Sequence, residues 1–440
     1  MSAKTRGGRG SGRRGGPGAG RPRAHAGTRG RGRTAPEGEL DGAPGEDAAA
    51  GWEDELAGGR GEADHMFEPT FEDFGAAPEG AGALTGSIDD VRPAAAGARA
   101  TGAPGSGDDG DAAILDDGSR ADAPLELGRV IRLDRGYPLV CTASGTYRSE
   151  HAIALVKGAG MRACVGDWVA LRLPSGHDKA LIERILPRRG VLSRWDGKRQ
   201  GERQTLASNL DVVLVVQPLS GRPISADRVA RSAVLAREGG CGIAVVLTKA
   251  DRAPEDLVAR DVAILRACLG EELPVFVVSA LEGRGVEEVR AALVPQTTTL
   301  LLGESGAGKS TLVNALLGAE VLGTASVRDR DDQGRHTTVA RRMLKVPHAG
   351  VIVDAPGLRS LPLLDEESGL ARAFPDIDGL VGGCRFRDCT HGQEPGCAVR
   401  AACARGDVSP ERLEEYRALV AEMRANRLSL DPAAKSSITV

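Results

Sequence analysis

The chain has 440 residues, of which 41% are hydrophobic and 27% charged, and its formal net charge is −4. This length predicts two to four domains, and so small a net charge neither indicates nor excludes a nucleic-acid partner. The sequence has no apolar run of the roughly 18 residues that a membrane helix needs, and its N-terminus lacks the apolar core of a signal peptide. We therefore expect a cytoplasmic protein without membrane association.

The first 124 residues differ in composition from the rest of the chain. Residues 1–34 contain ten Lys and Arg and no Asp or Glu, whereas residues 37–124 are rich in Asp, Glu, Ala and Gly. Neither part has sustained helical or strand periodicity, so residues 1–124 are predicted to form a long, mostly disordered N-terminal tail. Its basic part either adds salt-dependent affinity for RNA or is a solvated tail without a fixed partner.

Residues 125–200 are predicted to form a small β-barrel. Strand patterns separated by turn residues lie at residues 127–134, 137–142, 166–171 and 180–185. No clear helical pattern interrupts them. This favours a barrel of the OB type, with another kind of small β-domain as the alternative.

Residues 201–365 are predicted to form an α/β domain, because apolar strand-like runs alternate with helical patterns. The apolar runs lie at residues 211–217, 242–247, 273–279, 297–302 and 351–354, and the helical patterns at residues 226–237, 254–268 and 309–317. Buried strands that alternate with helices indicate a parallel sheet covered on both faces.

A phosphate-binding loop follows the strand at residues 297–302 and opens the helix at residues 309–317. The loop consists of Gly303, Glu304, Ser305, Gly306, Ala307, Gly308, Lys309 and Ser310, and Thr311 follows it. The glycines allow backbone N–H groups to surround phosphate oxygens. Lys309 supplies a positive charge near the β and γ oxygens, and Ser310 offers a hydroxyl to Mg²⁺. We therefore predict a nucleotide site in which Lys309 assists catalysis.

A second motif, on the metal side of this site, follows the strand at residues 351–354. Asp354 ends that strand and can hold Mg²⁺ through water, while the N–H of Gly357 can meet a γ-phosphate. The polar residues 327–338 between the two motifs are predicted to order with nucleotide, and Thr337 or Thr338 can supply a second hydroxyl ligand to Mg²⁺.

A third motif indicates selectivity for the nucleotide base. Thr248, Lys249 and Asp251 follow the strand at residues 242–247, and Ser279 with Ala280 follows the next apolar run. The carboxylate of Asp251 can accept two hydrogen bonds from the guanine edge, and the aliphatic stem of Lys249 can cover the base. Thr248 stands where Asn is usual, so guanine selectivity is a prediction that depends mainly on Asp251.

The order of these motifs is rotated relative to ordinary GTPases, in which the phosphate loop comes first and the base motif last. Here the base motif at Thr248 precedes the phosphate loop at Gly303, and the motif at Asp354 comes third. This order predicts a circularly permuted GTPase domain.

The group that positions the attacking water cannot be the usual Gln after Asp-x-x-Gly. Leu358 occupies that position and Arg359 follows it. His336 is the nearest polar candidate in residues 327–338, with a solvated loop histidine as the alternative.

Residues 366–430 contain a cluster of metal-ligand residue types, and residues 431–440 follow as a tail. Cys384, Cys389, His391 and Cys397 form a Cys₃His set within a short loop, which is a structural zinc pattern. Cys403 and the four remaining cysteines are expected to be buried core residues. A helix at residues 410–427 is predicted to begin with Ser409 as its cap and Pro410 as its first residue.

From about residue 125 to residue 428 the chain resembles the ribosome small-subunit-dependent GTPase A (RsgA-like) family of circularly permuted GTPases. The resemblance is carried by the rotated motif order, by Gly-Arg-His-Thr-Thr at residues 334–338, and by Cys-Arg-Phe-Arg-Asp-Cys-Thr-His at residues 384–391 leading to Glu-Pro-Gly-Cys at residues 394–397. It implies an OB barrel, a permuted GTPase domain and a small helical domain with one structural Zn²⁺.

The resemblance also implies an activity and partners. These are hydrolysis of GTP to GDP with Mg²⁺, stimulation by the 30S subunit late in its maturation, contact with 16S rRNA, and His336 as the water-positioning residue. We expect a monomer. Two alternatives remain: a non-catalytic RNA-binding scaffold that senses nucleotide, and an ATP-using enzyme built on the same phosphate loop.

Overall fold

The computed structural model of the chain describes residues 66–78, 125–134, 137–159, 161–173, 179–195, 203–323, 341–355 and 362–430. The remainder of the predicted N-terminal tail and residues 431–440 lie outside these ranges. In the part that is described, no helix is both long and apolar enough to cross a membrane.

Five strands form the predicted barrel. They are β1 (Leu125–Asp134), β2 (Tyr137–Thr142), β3 (Thr146–His151), β4 (Trp168–Arg172) and β5 (Ala180–Ile185). Their order is β1-β2-β3-β5-β4, and β4 pairs with β1 again, which closes the barrel. Val130, Val140, Val169, Leu171 and Ile182 are fully buried in one cluster inside it. The prediction of an OB-type barrel is confirmed.

Two elements of the barrel domain differ from the prediction, because strand β3 was not predicted and a helix follows it. Helix α1 (Ile153–Ala159) follows β3, although no clear helix was predicted in this region. The helix has only seven residues, and its first residue, Ile153, is 72% exposed. Seven residues give little helical periodicity, and this helix has no buried apolar face at its start. Its hydrophobic pattern therefore did not predict a helix.

A hairpin connects the barrel to the α/β domain. Its strands are β6 (Leu192–Trp195) and β7 (Arg203–Ala207), which form a separate two-stranded sheet, and Ala207 also forms an isolated bridge with Val165 of the barrel. The predicted domain boundary at residues 200 and 201 falls between them. Asp167 anchors this region, because its buried carboxylate accepts hydrogen bonds from Arg188 at 2.7 Å and from the Ser208 hydroxyl at 2.6 Å.

Six strands form the sheet of the α/β domain. They are β8 (Val212–Pro218), β9 (Gly242–Thr248), β10 (Val275–Val277), β11 (Thr298–Leu302), β12 (Arg341–Lys345) and β13 (Val351–Asp354). Their order is β10-β9-β8-β11-β13-β12, with every neighbouring pair parallel except β12 with β13. Every apolar run predicted as a strand overlaps one of these strands; β12 was not predicted.

Helices cover both faces of this sheet. They are α2 (Ala226–Glu238), α3 (Glu255–Leu269), α4 (Val286–Ala292) and α5 (Lys309–Leu317). Alternate residues of one strand enter two different cores: Val213 and Val215 pack in one cluster, and Leu214 and Val216 in the other. This two-sided burial explains why β8 is a continuous apolar run.

The barrel and the α/β domain share one continuous sheet. Strand β1 pairs antiparallel with β12, where Arg132 lies opposite Arg342 and Leu133 opposite Arg341. Only these two residue pairs join the two domains by strand pairing in the described part of the chain. The junction is therefore narrow and contains three arginines.

Four helices form the C-terminal part of the described chain. They are α6 (Glu367–Ala373), α7 (Pro375–Val381), α8 (Ala398–Arg405) and α9 (Pro410–Leu430). The Ser409 hydroxyl accepts a hydrogen bond from the Arg412 N–H at 3.1 Å and donates one to the Ala267 carbonyl at 2.7 Å. It thus caps α9, as predicted, and also ties that helix to α3. Helix α6 packs closely on α2, since a Cβ at Gly369 would lie 2.3 Å from the Val234 carbonyl oxygen.

A segment within the predicted tail is folded, which corrects the prediction for residues 66–78. Phe67 and Phe74 are 7% and 5% exposed, and a 3₁₀ turn (Phe71–Asp73) lies between them. Phe67, Phe71 and Phe74 are spaced four and three residues apart, as on one face of a helix, but Pro69 lies between the first two and the segment forms only this short turn. A pattern this short is not a sustained periodicity, so the sequence did not reveal the fold of the segment.

Candidate functional site

The predicted nucleotide motifs meet at one edge of the α/β sheet. Strands β8, β9, β11 and β13 are parallel neighbours, and three motifs begin where β9, β11 and β13 end, at Thr248, Gly303 and Asp354. The carboxyl ends of parallel strands form the usual ligand-binding edge of such a sheet. The permuted chain order therefore still produces one composite site.

The phosphate loop has the left-handed turns that its glycines were expected to provide. Gly306 and Gly308 have φ angles of 78° and 93°, and Gly308 caps helix α5. The Lys309 ammonium donates to the carbonyls of Gly303 at 2.6 Å and Glu304 at 2.7 Å. These two hydrogen bonds hold the Lys309 ammonium across the loop, where it would face the phosphate oxygens of a bound nucleotide.

Thr248 has a positioning contact that the sequence did not reveal. Its hydroxyl is buried, donates to the Ala307 carbonyl at 2.5 Å and lies 3.3 Å from the Gln217 carbonyl. A Cβ at Gly308 would lie 3.2 Å from the same hydroxyl. The threonine therefore ties the base motif to the phosphate loop through a single oxygen atom.

The base motif forms a small open pocket with Asp251 at its wall. The Ser279 hydroxyl donates to the Asp251 carboxylate at 2.9 Å, and this hydrogen bond lowers the pKa of Asp251. The Lys249 ammonium donates to the Gly306 carbonyl at 2.7 Å, so its aliphatic stem crosses toward the phosphate loop. Ala280 and Leu281 also line the pocket. The carboxylate is held ionised and oriented for a ligand with paired N–H donors.

Leu281 was missed in the sequence. It is 70% exposed although it is a large apolar side chain, and it lines the same pocket as Lys249. An exposed leucine beside a ligand pocket can cover the flat face of a base. The sequence could have indicated this role, because Leu281 directly follows Ser279 and Ala280, which were predicted to lie beside the base.

The metal-side motif is only partly described. Asp354 is 8% exposed at the end of β13, and it pairs in register with Leu301 of β11, next to the phosphate loop. His336, Thr337, Thr338 and Gly357 lie outside the described residues. Their roles remain predictions.

The Cys₃His cluster is assembled as predicted. The ligand atoms of Cys384, Cys389, His391 and Cys397 all lie within 4.8 Å of one another, so the cluster could hold a metal ion. Cys403 is outside the cluster but is only half-buried against the core, whereas Cys141, Cys164, Cys241 and Cys268 are buried elsewhere, as expected. Burial raises the pKa of Cys241 to about 12, which keeps that thiol protonated.

Neighbouring groups hold the cluster loop in shape. The Glu394 carboxylate accepts hydrogen bonds from Thr390, including its backbone N–H at 2.9 Å, and from the Gly392 N–H at 2.8 Å. Those bonds, the Thr390 side chain's first, lower the pKa of Glu394 to about 2. The His391 ring lies 6.0 Å from the Tyr416 ring on α9. The loop is therefore ordered by hydrogen bonds and by the helix behind it.

Replacing one ligand should abolish stoichiometric metal binding. We expect Cys389→Ser to reduce bound metal, measured by elemental analysis of purified protein, and to lower Tm, because three ligands hold a structural ion poorly. The control is Cys403→Ser, since both cysteines are half-buried but Cys403 lies outside the cluster. Equal metal content in the two variants would contradict the assignment.

Removing only the Thr248 hydroxyl should weaken nucleotide binding. Thr248→Val keeps the shape but leaves the Ala307 carbonyl without its 2.5 Å partner. A lost hydrogen bond of about 1–1.5 kcal/mol corresponds to roughly tenfold weaker binding of GDP. Thr248→Ser retains the hydroxyl and should bind GDP almost normally. Calorimetric titration would measure both affinities, and equal values would exclude the tethering role.

Comparisons with known proteins agree with this geometry. A family model described as RsgA GTPase matches residues 185–364. A relative from Streptomyces avermitilis, "Small ribosomal subunit biogenesis GTPase RsgA", is 42% identical over 298 residues, which are 68% of this chain and 80% of the relative. A relative of the same name from Methanosarcina acetivorans is 39% identical over 264 residues, 60% of this chain and 70% of the relative.

Solved structures show the same fold. The crystal structure of YjeQ from Thermotoga maritima superposes with a TM-score of 0.53 at 24% identity and covers 68% of this chain and 98% of its own. YloQ, described as a circularly permuted GTPase, superposes with a TM-score of 0.52 at 20% identity and covers 69% of this chain and 96% of its own. With the permuted motifs at one sheet edge and the Cys₃His cluster beyond them, the chain belongs to the RsgA GTPase family.

Proposed function

We propose that this chain hydrolyses GTP to GDP on the small (30S) ribosomal subunit during late maturation of that subunit, and that the subunit stimulates hydrolysis. The observation that carries this proposal is the composite site, in which a phosphate loop and a base pocket with an oriented Asp251 carboxylate share one sheet edge. The names of relatives at 42% and 40% identity support the ribosomal context.

Contact with 16S rRNA is proposed for the two flanking modules. OB barrels and zinc-binding loops are common carriers of RNA-binding surfaces. On the loop of the Cys₃His cluster, Phe386 is 41% exposed, and the Arg385 guanidinium lies 5.5 Å from its ring centroid. An exposed aromatic ring beside a cation suits an unpaired base. We propose a monomer that acts in the cytoplasm.

Two metal ions are proposed. For the Cys₃His cluster the ion is Zn²⁺: zinc bonds of about 2.3 Å to sulfur and 2.0 Å to nitrogen give tetrahedral edges of roughly 3.5–3.8 Å. Cys384 Sγ lies 3.9 Å from Cys397 Sγ and 3.6 Å from His391 Nδ1. With GTP the ion is Mg²⁺, which Ser310, Asp354 and Thr337 or Thr338 would hold and which would offset charge on the β and γ phosphates.

Guanine selectivity is proposed from Asp251. Its carboxylate only accepts hydrogen bonds when ionised, and the hydrogen bond from the Ser279 hydroxyl lowers its pKa further below neutral pH and orients it. Guanine presents two N–H donors on one edge, and adenine does not match them. GDP should therefore displace a fluorescent guanine nucleotide far better than ADP, and equal displacement would favour the ATP-using alternative.

His336 is proposed as the residue that positions the attacking water. With 30S subunits present, His336→Ala should slow phosphate release by about 10²-fold or more and leave GDP affinity unchanged, because a water-positioning group acts mainly in the transition state. Phosphate release is measured with and without 30S subunits.

The matched control is His348→Ala, an exposed histidine in the turn between β12 and β13. This variant should behave as wild type. If 30S subunits fail to stimulate wild type, the proposed function is wrong, and a chain that never turns over would be a nucleotide-sensing scaffold. If His336→Ala is stimulated normally, only the residue assignment is wrong.

A route from the nucleotide site to the Cys₃His module is proposed through Leu363. This buried residue closely follows the metal-side motif, and helix α9 binds both of its backbone polar groups. The Leu363 N–H donates to the Glu422 carboxylate at 3.2 Å, and the Asn426 amide donates to the Leu363 carbonyl at 2.7 Å. Glu422 also forms a bidentate ion pair with Arg231 of α2 at 2.8–3.1 Å. A shift at this point would therefore move α9.

Breaking this connection should uncouple nucleotide state from subunit binding. In Glu422→Ala, we expect the ratio of 30S affinities with GTP analogue and with GDP to fall toward one, because Leu363 loses a charged acceptor. Glu414→Ala is the control, since this exposed glutamate is on the same helix. Affinities would be measured by filter binding at fixed salt. A ratio unchanged in Glu422→Ala, with metal content retained, would rule out this route.

A further inference from the structure

The folded segment 66–78, here called the aromatic strap, lies across the junction between the barrel and the GTPase domain. The Lys345 N–H of β12 donates to the Phe67 carbonyl at 2.8 Å. At the other end of the strap, the Gly75 N–H donates to the Gln296 carbonyl at 3.1 Å, just before β11. The strap thus binds the GTPase domain by backbone hydrogen bonds at both ends.

The aromatic side chains of the strap bind the barrel. The Phe71 and Phe74 rings lie 5.7 Å and 6.0 Å from the Trp168 ring of β4 in edge-to-face geometry. The guanidinium of Arg129 on β1 lies 4.6 Å from the Phe74 ring centroid and 5.2 Å from that of Trp168. Edge-to-face rings and a buried cation give this contact a specific geometry.

Arg129 extends this contact to the GTPase domain. Its guanidinium donates to the Thr298 hydroxyl of β11 at 3.0 Å and to the Asn209 carbonyl at 2.9 Å. Phe74 therefore covers the arginine that links the barrel to the central strand of the nucleotide site.

Charge gives the strap a second role at the narrow β1–β12 junction. Arg132 and Arg342 lie opposite each other there, and like charges in that position are unfavourable. Glu68 of the strap pairs with Arg132 at 2.7 Å, in addition to the pair that Arg132 forms with Asp134 of its own strand at 2.8 Å, and Asp73 pairs with Lys345 at 2.8 Å. One acidic group thus binds each of the two strands that form the junction.

The strap is also preorganised for binding. The Asp73 carboxylate accepts hydrogen bonds from the Thr70 N–H at 2.7 Å and the Thr70 hydroxyl at 2.8 Å. These bonds form the turn that sets Phe71 and Phe74 on the same side of the segment. Residues 79–124 separate the strap from β1, so it is joined to its binding site as a tethered peptide would be.

We propose that the aromatic strap is a cis-acting docking peptide that locks the barrel to the GTPase domain at the β1–β12 junction. Its binding groove is built from Trp168 and Arg129 of the barrel and from Lys345 and the chain at Gln296 of the GTPase domain. The groove takes a peptide with aromatic anchors and acidic groups. When the strap is released, the junction loses the backbone hydrogen bonds at Lys345 and Gln296, the Phe74 ring over Arg129, and the ion pairs of Glu68 and Asp73.

The first test measures amide hydrogen exchange across the junction in the full chain. Phe67→Ala combined with Phe74→Ala should raise exchange at least tenfold in peptides that cover β1 and β12, because strap contacts protect both strands. The exposed Glu72→Ala, in the same turn, is the control and should exchange as wild type. Unchanged protection in the double variant would overturn the proposal.

A charge exchange separates a specific lock from general destabilisation. Asp73→Lys should increase exchange at β12, and adding Lys345→Asp should restore part of the protection, because the ion pair returns but the Thr70 turn, which needs the Asp73 carboxylate, does not. A further experiment adds the synthetic peptide of residues 66–78, at millimolar concentration, to the chain that carries Phe67→Ala and Phe74→Ala. The peptide should lower amide exchange in β1 and β12 again.

Failure of both rescues would show that the segment is a fixed part of the hydrophobic core and not a docking peptide.

Discussion

The nucleotide site depends on the parallel pairing of β8, β11 and β13 in the centre of the GTPase sheet. Leu301 pairs in register with Leu214 of β8 on one side and with Asp354 of β13 on the other. Strands that are far apart in sequence therefore end at the same edge of the sheet. Backbone hydrogen bonds set this register, and it is strongly specified because a shift by one residue would move the buried side chains of a strand to its opposite face. The phosphate loop, the base motif and the metal-side carboxylate are placed by that register, whatever their order along the chain.

Most of the fold followed from sequence because its main elements have strong periodic signals. Strand β2, strand β5 and helix α5 were predicted with the bounds that the structure has, and the continuous apolar runs correctly indicated a sheet buried on both faces. The elements that were missed, α1 and β12 among them, are short or depend on neighbours. Strand β12 alternates little and carries Arg341 and Arg342, so only its pairing with β1 and β13 explains it.

The residues of the site could be predicted from the sequence, but the long-range hydrogen bonds that position them could not. The Cys₃His spacing was enough to assemble the cluster, because its ligands lie close in sequence and a loop brings them together. By contrast, the hydrogen bond from the Thr248 hydroxyl to the Ala307 carbonyl and the one from the Leu363 N–H to the Glu422 carboxylate each span 59 residues. No local pattern reveals such contacts. The aromatic strap is an extreme case, since its phenylalanines are spaced as on a helix face but pack in the structure against Trp168 and the GTPase core without forming an α-helix.

The pairing of β1 with β12 also bears on solubility. Strand β12 would otherwise be the exposed edge of the GTPase sheet, and an open edge can recruit strands from other chains. At the opposite edge, β10 has only three residues, which leaves little backbone for such pairing. The closed barrel offers no free edge of its own there. The domain junction covers one end of β12 and the Phe67 carbonyl pairs with Lys345 at the other end, so little of this edge is left for a strand of another chain.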